Sequence, residues 1–427
     1  MLNAPLYNAV IEYGNRNNIR FHMPSHFIND GNLFLSSKFD LTEIEGLDNL
    51  MCPTGVIKEA QMLLAKTYKS AATFMLTGGA SEGILIALYI ASKKNKKIII
   101  ESTAHTSVYN AVKLFDLEPV IIKTRYDGYG LPLPMDKRTL LETLDENEGA
   151  NVVITSPDYF GHVFDGNGLK EKVEGLIIAD GAHGAHFPYS NRFRNVGYEW
   201  ADLCVCGMHK TLPCYTGAAI LNVKDKSLVH DTDEARKIFQ STSPSYIIMA
   251  SIDFARAYME EHGEELYENL YKTVSRIKRR ETDDFTRVII DGGNGYEFER
   301  CLASNGINCE FSFGRHVVLI TKPCDENNLR EFNDVIKSYK PKFSAPVMID
   351  FNAEFALDYK TAICSDFENV AIENAAGRVA AANVGLYPPA SPVIIAGERI
   401  IKEQVEFIKK QRYGVFGLAN NTIRVLK

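Results

Sequence analysis

The chain has 427 residues, more than one hydrophobic core usually supports, so a large domain with a smaller companion is expected. Hydrophobic residues make up 45% and charged residues 24%, a balance that excludes a disordered chain, while the net charge of -7 and the short basic clusters argue against a nucleic-acid partner. No apolar run reaches the roughly 20 residues that span a bilayer, no signal-peptide core opens the sequence, and the cysteines read as reduced thiols; a cytoplasmic protein without membrane contact is expected.

Residues 1–40 read as an N-terminal segment, 41–280 as the large domain and 281–427 as the small one. From about residue 55 to 225, short β-type runs alternate with helix-like stretches, the pattern of an α/β fold with a mainly parallel sheet. Strands are predicted at Thr73 to Leu76, Lys97 to Glu101, Pro119 to Ile122, Val152 to Thr155, Leu176 to Asp180, Leu203 to Cys206 and Ala218 to Val223. Apolar residues at helical spacing predict helices at Ile57 to Tyr68, Ser81 to Ser92 and Ser107 to Phe115. A long helix, Tyr246 to Arg280, follows and is expected to link the domains. Beyond it, strands at Arg287 to Ile290, Val317 to Ile320 and Ala345 to Asp350, with helices at Asp325 to Tyr339 and Arg399 to Tyr413, predict a small α+β C-terminal domain.

Ligands of open α/β sheets bind outside the carboxyl ends of the strands. Four predicted strands end there in polar or glycine-rich turns: Thr77-Gly78-Gly79, Ser102-Thr103-Ala104-His105, Ser156-Pro157-Asp158 and Asp180-Gly181-Ala182-His183. The run Thr77 to Gly83 opens a helix and suits a phosphate, since glycines admit an anion to the free N–H groups of the helix start and Ser81 adds a hydroxyl. It is neither a Walker A loop nor a G-x-G-x-x-G, and an ordinary N-capped helix reads equally well. Asp180 is delivered to this edge by the apolar run Leu176 to Ala179 and needs a partner, unless it only caps a turn. Lys210 follows a strand directly, although a lysine in such a place is usually solvated. His183 and His186 lie in a glycine loop without a third ligand, and Cys204 and Cys206 share a strand face without a second pair; no metal is expected at either. His105 could stack on a flat heteroaromatic ring, although a turn histidine without ligand is commoner.

Taken in order, these pieces resemble the Orn/Lys/Arg decarboxylase family in a short bacterial form. The resemblance runs from Phe21-His22-Met23-Pro24-Ser25-His26 through Leu41 to Asp48, Ile57 to Gln61, Thr77 to Gly83 and Thr155-Ser156-Pro157. It continues with Asp180 to Phe187, His209-Lys210-Thr211-Leu212-Pro213, Thr242 to Tyr246, Ala376 to Val379, Tyr387-Pro388-Pro389 and Ala396-Gly397-Glu398. It implies an aspartate-aminotransferase-like large domain (fold type I) that binds pyridoxal 5'-phosphate (PLP), with a small α+β domain behind it. By position, Lys210 would hold PLP as a Schiff base, Asp180 would pair with the pyridine nitrogen and His105 would stack on the ring, with His183 beside it. Gly79, Ala80 and Ser81 would hold the phosphate, and Ser243 would reach a neighbouring subunit's cofactor in a homodimer or larger homo-oligomer. The implied reaction is α-decarboxylation of a small basic amino acid, arginine, lysine or ornithine, with Lys210 or His209 returning the proton.

The sequence departs from the family's pattern at Ser25, Phe27, Ala80, Thr106, Gly181, Gly207 and Gly217. Loss of the hydroxyls at 80 and 207 should weaken phosphate binding by roughly 0.5 to 1.5 kcal/mol each. Two other readings stay open at this stage: another PLP reaction, such as transamination, racemisation or lyase chemistry, and a degenerate homologue acting as a binding subunit.

Overall fold

A computed structural model describes residues 19–21, 43, 47–128, 130–194, 197–341, 351–387, 390–411 and 414–427. The chain forms two compact units. Among the described residues the smaller holds 19–21, 266–281 and 285–341, and the larger holds the rest.

The larger unit is built on a seven-stranded sheet. Its elements begin with α1 (Val56–Thr67), β1 (Ala72–Leu76), α2 (Gly79–Lys94), β2 (Lys97–Glu101), α3 (Thr106–Leu114), β3 (Glu118–Ile122), α4 (Lys137–Asp145) and β4 (Asn151–Thr155). They continue with β5 (Ile177–Asp180), β6 (Leu203–Cys206), the one-turn α5 (Met208–Thr211), β7 (Ala219–Val223), α6 (Val229–Phe239) and the first part of the long α7 (Tyr246–Val274), whose residues from 266 on belong to the smaller unit. The strand order is β1-β7-β6-β5-β4-β2-β3, and every neighbouring pair is parallel except the two made by β7. Central strands such as Ile98 to Ile100, Val152 to Ile154 and Ile177 to Ala179 are apolar without alternation because both faces are buried. Register sets Thr155 beside Asp180 and Asp180 beside Val205, so the carboxyl ends of β4, β5 and β6 lie level.

The expected α/β fold with a mainly parallel sheet is therefore present, and its predicted strands lie within one residue of the observed ones. The helix expected to run to Arg280 stops at Val274, where the N–H groups of Arg276 and Ile277 turn to the carbonyls of Thr273 and Val274 at 3.2 and 3.0 Å and the Arg280 N–H goes on to the Ile289 carbonyl at 2.9 Å. The helix expected over Arg399 to Tyr413 is only Lys402–Lys409, since Arg399 bridges to Val379. The strand expected at Ala345 to Asp350 lies outside the described residues. Helices α4 and α6 were not anticipated; α4 buries only Leu140 and Leu144, too few to show a periodicity.

Residues 351–427 are grouped with the larger unit, whereas the sequence reading placed them in a segment 281–427. The reason is contact with the sheet edge. Tyr359, Ala362, Ile395 and Ala396 share the main apolar core with β2, α2 and α3, and the rings of Tyr109 and Tyr359 lie 5.4 Å apart. The Lys123 ammonium meets the buried Glu398 carboxylate at 2.9 Å. The smaller unit holds a three-stranded antiparallel sheet, with β8 (Arg287–Asp291), α8 (Gly295–Ser304), β9 (Ile307–Cys309), β10 (Phe311–Phe313), β11 (His316–Ile320) and α9 (Glu326–Ser338). Leu329 and Phe332 of α9 are fully buried. No helix among the described residues is long and apolar enough to cross a membrane.

Candidate active site

Strand ends bring the polar turns to one edge of the seven-stranded sheet. After β6 the chain turns once through α5, which carries Lys210; its Nζ lies 3.1 Å from His183 Nε2, and both sit just past neighbouring strands β6 and β5. The His183 ring meets Tyr159 edge-on, with centroids 5.3 Å apart. Asp180, at the end of β5, is only 4% exposed and its Oδ1 accepts the Ala182 N–H at 3.2 Å.

His105 follows β2 and caps α3: Nδ1 accepts the Ser107 N–H at 3.1 Å and pairs with Ser107 Oγ at 2.8 Å. Burial pushes the His105 pKa down, opposed by the Asp180 carboxylate and aided by the Lys210 ammonium, so a neutral ring with its proton on Nε2 is favoured. Lys210, Asp180, His105 and His183 thus form one cluster. His209 turns to the start of β7 instead, where Nδ1 meets the Ala218 carbonyl at 2.9 Å.

The turn after β1 opens α2. Gly79 takes a φ of +78° and its N–H is held by the Gly217 carbonyl at 2.8 Å; a Cβ on Gly79 would meet nothing within 4 Å, which leaves open space beside the helix start. Ala80 and the exposed Ser81 form the first turn. Ser243 is exposed ahead of α7, and among the described residues no hydrogen bond joins it to the cluster.

The family profile of the Orn/Lys/Arg decarboxylase major domain matches residues 4–290, and that of the family's C-terminal domain matches 340–413. The chain belongs to the Orn/Lys/Arg decarboxylase family. It is 31% identical to the uncharacterized protein YaaO of Bacillus subtilis (strain 168), over 96% of this chain and 94% of the relative. An arginine decarboxylase of Bacillus anthracis is 26% identical over 99% of this chain and 97% of its own length. Among solved structures, the constitutive lysine decarboxylase of E. coli superposes with a TM-score of 0.73 at 18% identity, covering 91% of this chain and 75% of that one. The fold is accordingly the aspartate-aminotransferase-like one of this family, with its C-terminal domain present.

Within the family frame, the described departures to glycine are crowded positions rather than gaps. A Cβ on Gly207 would lie 2.7 Å from the Ala182 carbonyl oxygen and 3.2 Å from Lys210 Cδ. One on Gly181 would lie 3.0 Å from Cys204 Sγ, and Gly217 combines a φ of +95° with a Cβ position 3.0 Å from the Thr77 carbonyl oxygen. A serine could enter at 207 only if the backbone moved. Thr106 begins α3 and gives its N–H to the Ala390 carbonyl at 3.0 Å. Ser25, Phe27 and the motif residues 22–26 lie outside the described residues.

Sequence reasoning missed three side chains here. Glu101, the last residue of β2, is buried, and burial together with the Asp158 charge pushes its pKa up to about 8. Tyr159 supports His183. Glu82 reaches back over the helix start, its Oε2 accepting the Gly78 N–H at 2.9 Å. The buried end of an apolar run was the available sign for Glu101. Nothing comparable marked Glu82, because its role depends on how the turn folds. Two acidic side chains already hold partners, Asp158 with His162 at 2.9 Å and the buried Glu398 with Lys123 at 2.9 Å.

Proposed function

We propose that this chain removes the α-carboxylate of a basic amino acid, arginine, lysine or ornithine, using PLP attached at Lys210. The observation that carries the reading is the Lys210 Nζ at 3.1 Å from His183, on the edge to which β5 brings the buried Asp180. Family membership and relatives named arginine decarboxylase support it.

The residues fit the cofactor. Lys210 offers an amine, Asp180 a shielded carboxylate, His105 a ring, and the open space at Gly79 a cradle at a helix start. PLP, when bound, supplies the electron sink for the bond pair released as CO2 departs. Asp180, screened from water, would hold a proton on the cofactor's ring nitrogen. His105, held neutral by burial, would stack on the cofactor ring and add no second positive charge. Ser81 and the N-terminus of α2 would hold the phosphate. Lys210 Nζ returns a proton to the α-carbon and regains one through His183; His209, bonded to the Ala218 carbonyl, is the alternative donor. The balance consumes one proton and yields the amine and CO2. Ser243, exposed in one chain, is assigned to the site of a second copy in a homodimer or larger assembly, and a monomer by light scattering at assay concentration would remove that assignment.

The direct test incubates purified protein with PLP and each substrate. Amine and CO2 should form from at least one and vanish in Lys210→Ala, whereas no amine from any of them sinks the reading. The crowded glycines at 181, 207 and 217 favour a second reading, another reaction on the same cofactor. Keto acid or D-amino acid without amine would select it.

A further inference from the structure

Helix α2 begins without a side-chain cap from its N-cap residue, Gly78. Its head is nonetheless occupied. Glu82 folds back one turn so that Oε2 accepts the Gly78 N–H at 2.9 Å, while the nearby Thr77 N–H and Gln240 amide partly offset the rise that burial gives its pKa. A Cβ on Gly78 would lie 3.0 Å from that oxygen, so the carboxylate rests directly on the turn. The Gly79 N–H is committed to the Gly217 carbonyl. Among the described residues no lysine or arginine forms an ion pair with Glu82; Arg236 of α6 bonds to Gln240 at 3.1 Å.

A helix start attracts anions through its free N–H groups and its dipole. Here the chain supplies an anion of its own, at the turn assigned above to the cofactor's phosphate and one residue after Ser81. We propose that Glu82 is an intramolecular competitor of the PLP phosphate, holding the Gly78 N–H at the same helix head and repelling the dianion, so that this chain holds PLP weakly and its occupancy follows cofactor supply. The inference rests on the assignment of PLP to this site. Burial already pushes the Glu82 pKa up, and a phosphate beside it pushes the same way.

Pyridoxal, the same aldehyde without the phosphate, separates the two ideas. Dissociation constants for PLP and pyridoxal are measured from their absorbance changes in the wild type, Glu82→Gln and Glu82→Ala, with borohydride reduction and mass spectrometry to locate the adduct on Lys210. Gln keeps an acceptor for the Gly78 N–H, and Ala serves if Gln misfolds. PLP should bind about tenfold more tightly to the variants, as expected for relief of a charge-assisted competition, with pyridoxal unchanged. An adduct with PLP in the wild type and no gain in the PLP-to-pyridoxal preference of either variant overturns the proposal alone. No reducible adduct in any of the proteins overturns the cofactor assignment and this proposal together.

Discussion

At the scale of single residues the site depends on charges placed where water cannot reach them. Asp180 is buried at a strand end, and Glu101 ends the strand that leads to His105. Glu101 carries a testable consequence. Its folded-state pKa, about 8, lies above the roughly 4.3 of an unfolded glutamate, so its contribution to stability is full below pH ~4 and is lost as pH rises through about 8. Glu101→Gln removes that dependence. Urea denaturation should show the variant gaining on the wild type between pH ~4 and ~8; parallel profiles would mean that Glu101 titrates normally. The identities of Lys210, Asp180 and His105 were legible because each ends or follows an apolar strand run. The partnerships of Lys210 with His183 and of Glu82 with Gly78 were not, since they join side chains across turns whose path no local pattern specifies.

At the scale of elements, helix starts do much of the positioning. Asp48, with a φ of +66°, accepts N–H groups of Thr54, Gly55, Ile57 and Lys58 at 2.7 to 3.3 Å and so caps α1. Burial alone would raise its pKa, but the backbone donors hold it at about 2. This stabilisation is present above the unfolded value of roughly 3.9 and is lost as pH falls through about 2. Asp48→Ala should cost about 1 to 2 kcal/mol at neutral pH, and the deficit should shrink in acid; an equal deficit at pH ~2 and ~7 would assign it to packing instead. The strands were predicted well because β-branched runs buried on both faces leave a continuous apolar signature. Short helices such as α4 were missed because two buried leucines carry almost none.

At the scale of the whole molecule, the C-terminal residues 351–427 close against the sheet edge that carries His105. Ser391 Oγ donates to the Thr103 carbonyl at 2.7 Å, and Lys123 pairs with Glu398, whose side chain is 4% exposed. Lys123→Met should leave that carboxylate without its counter-charge and lower stability by about 1 to 3 kcal/mol, while Lys123→Met with Glu398→Gln should recover part of it. Denaturation midpoints of the single and double variants decide whether the pair acts as a unit.

The α/β class, the strand order along the chain and the identity of the polar residues at the strand ends were determined by the amino-acid sequence alone, because burial periodicity and turn residues are local, and the family by its ordered motifs. Tertiary structure alone decided that His183 rather than His209 meets the Lys210 amine, that Glu398 is tied to Lys123, and that the glycines at 181, 207 and 217 are filled positions. It also brought residues 351–427 to the sheet. Such pairings join segments far apart in the chain, and their geometry is set by how the strands align and how closely the core closes around them.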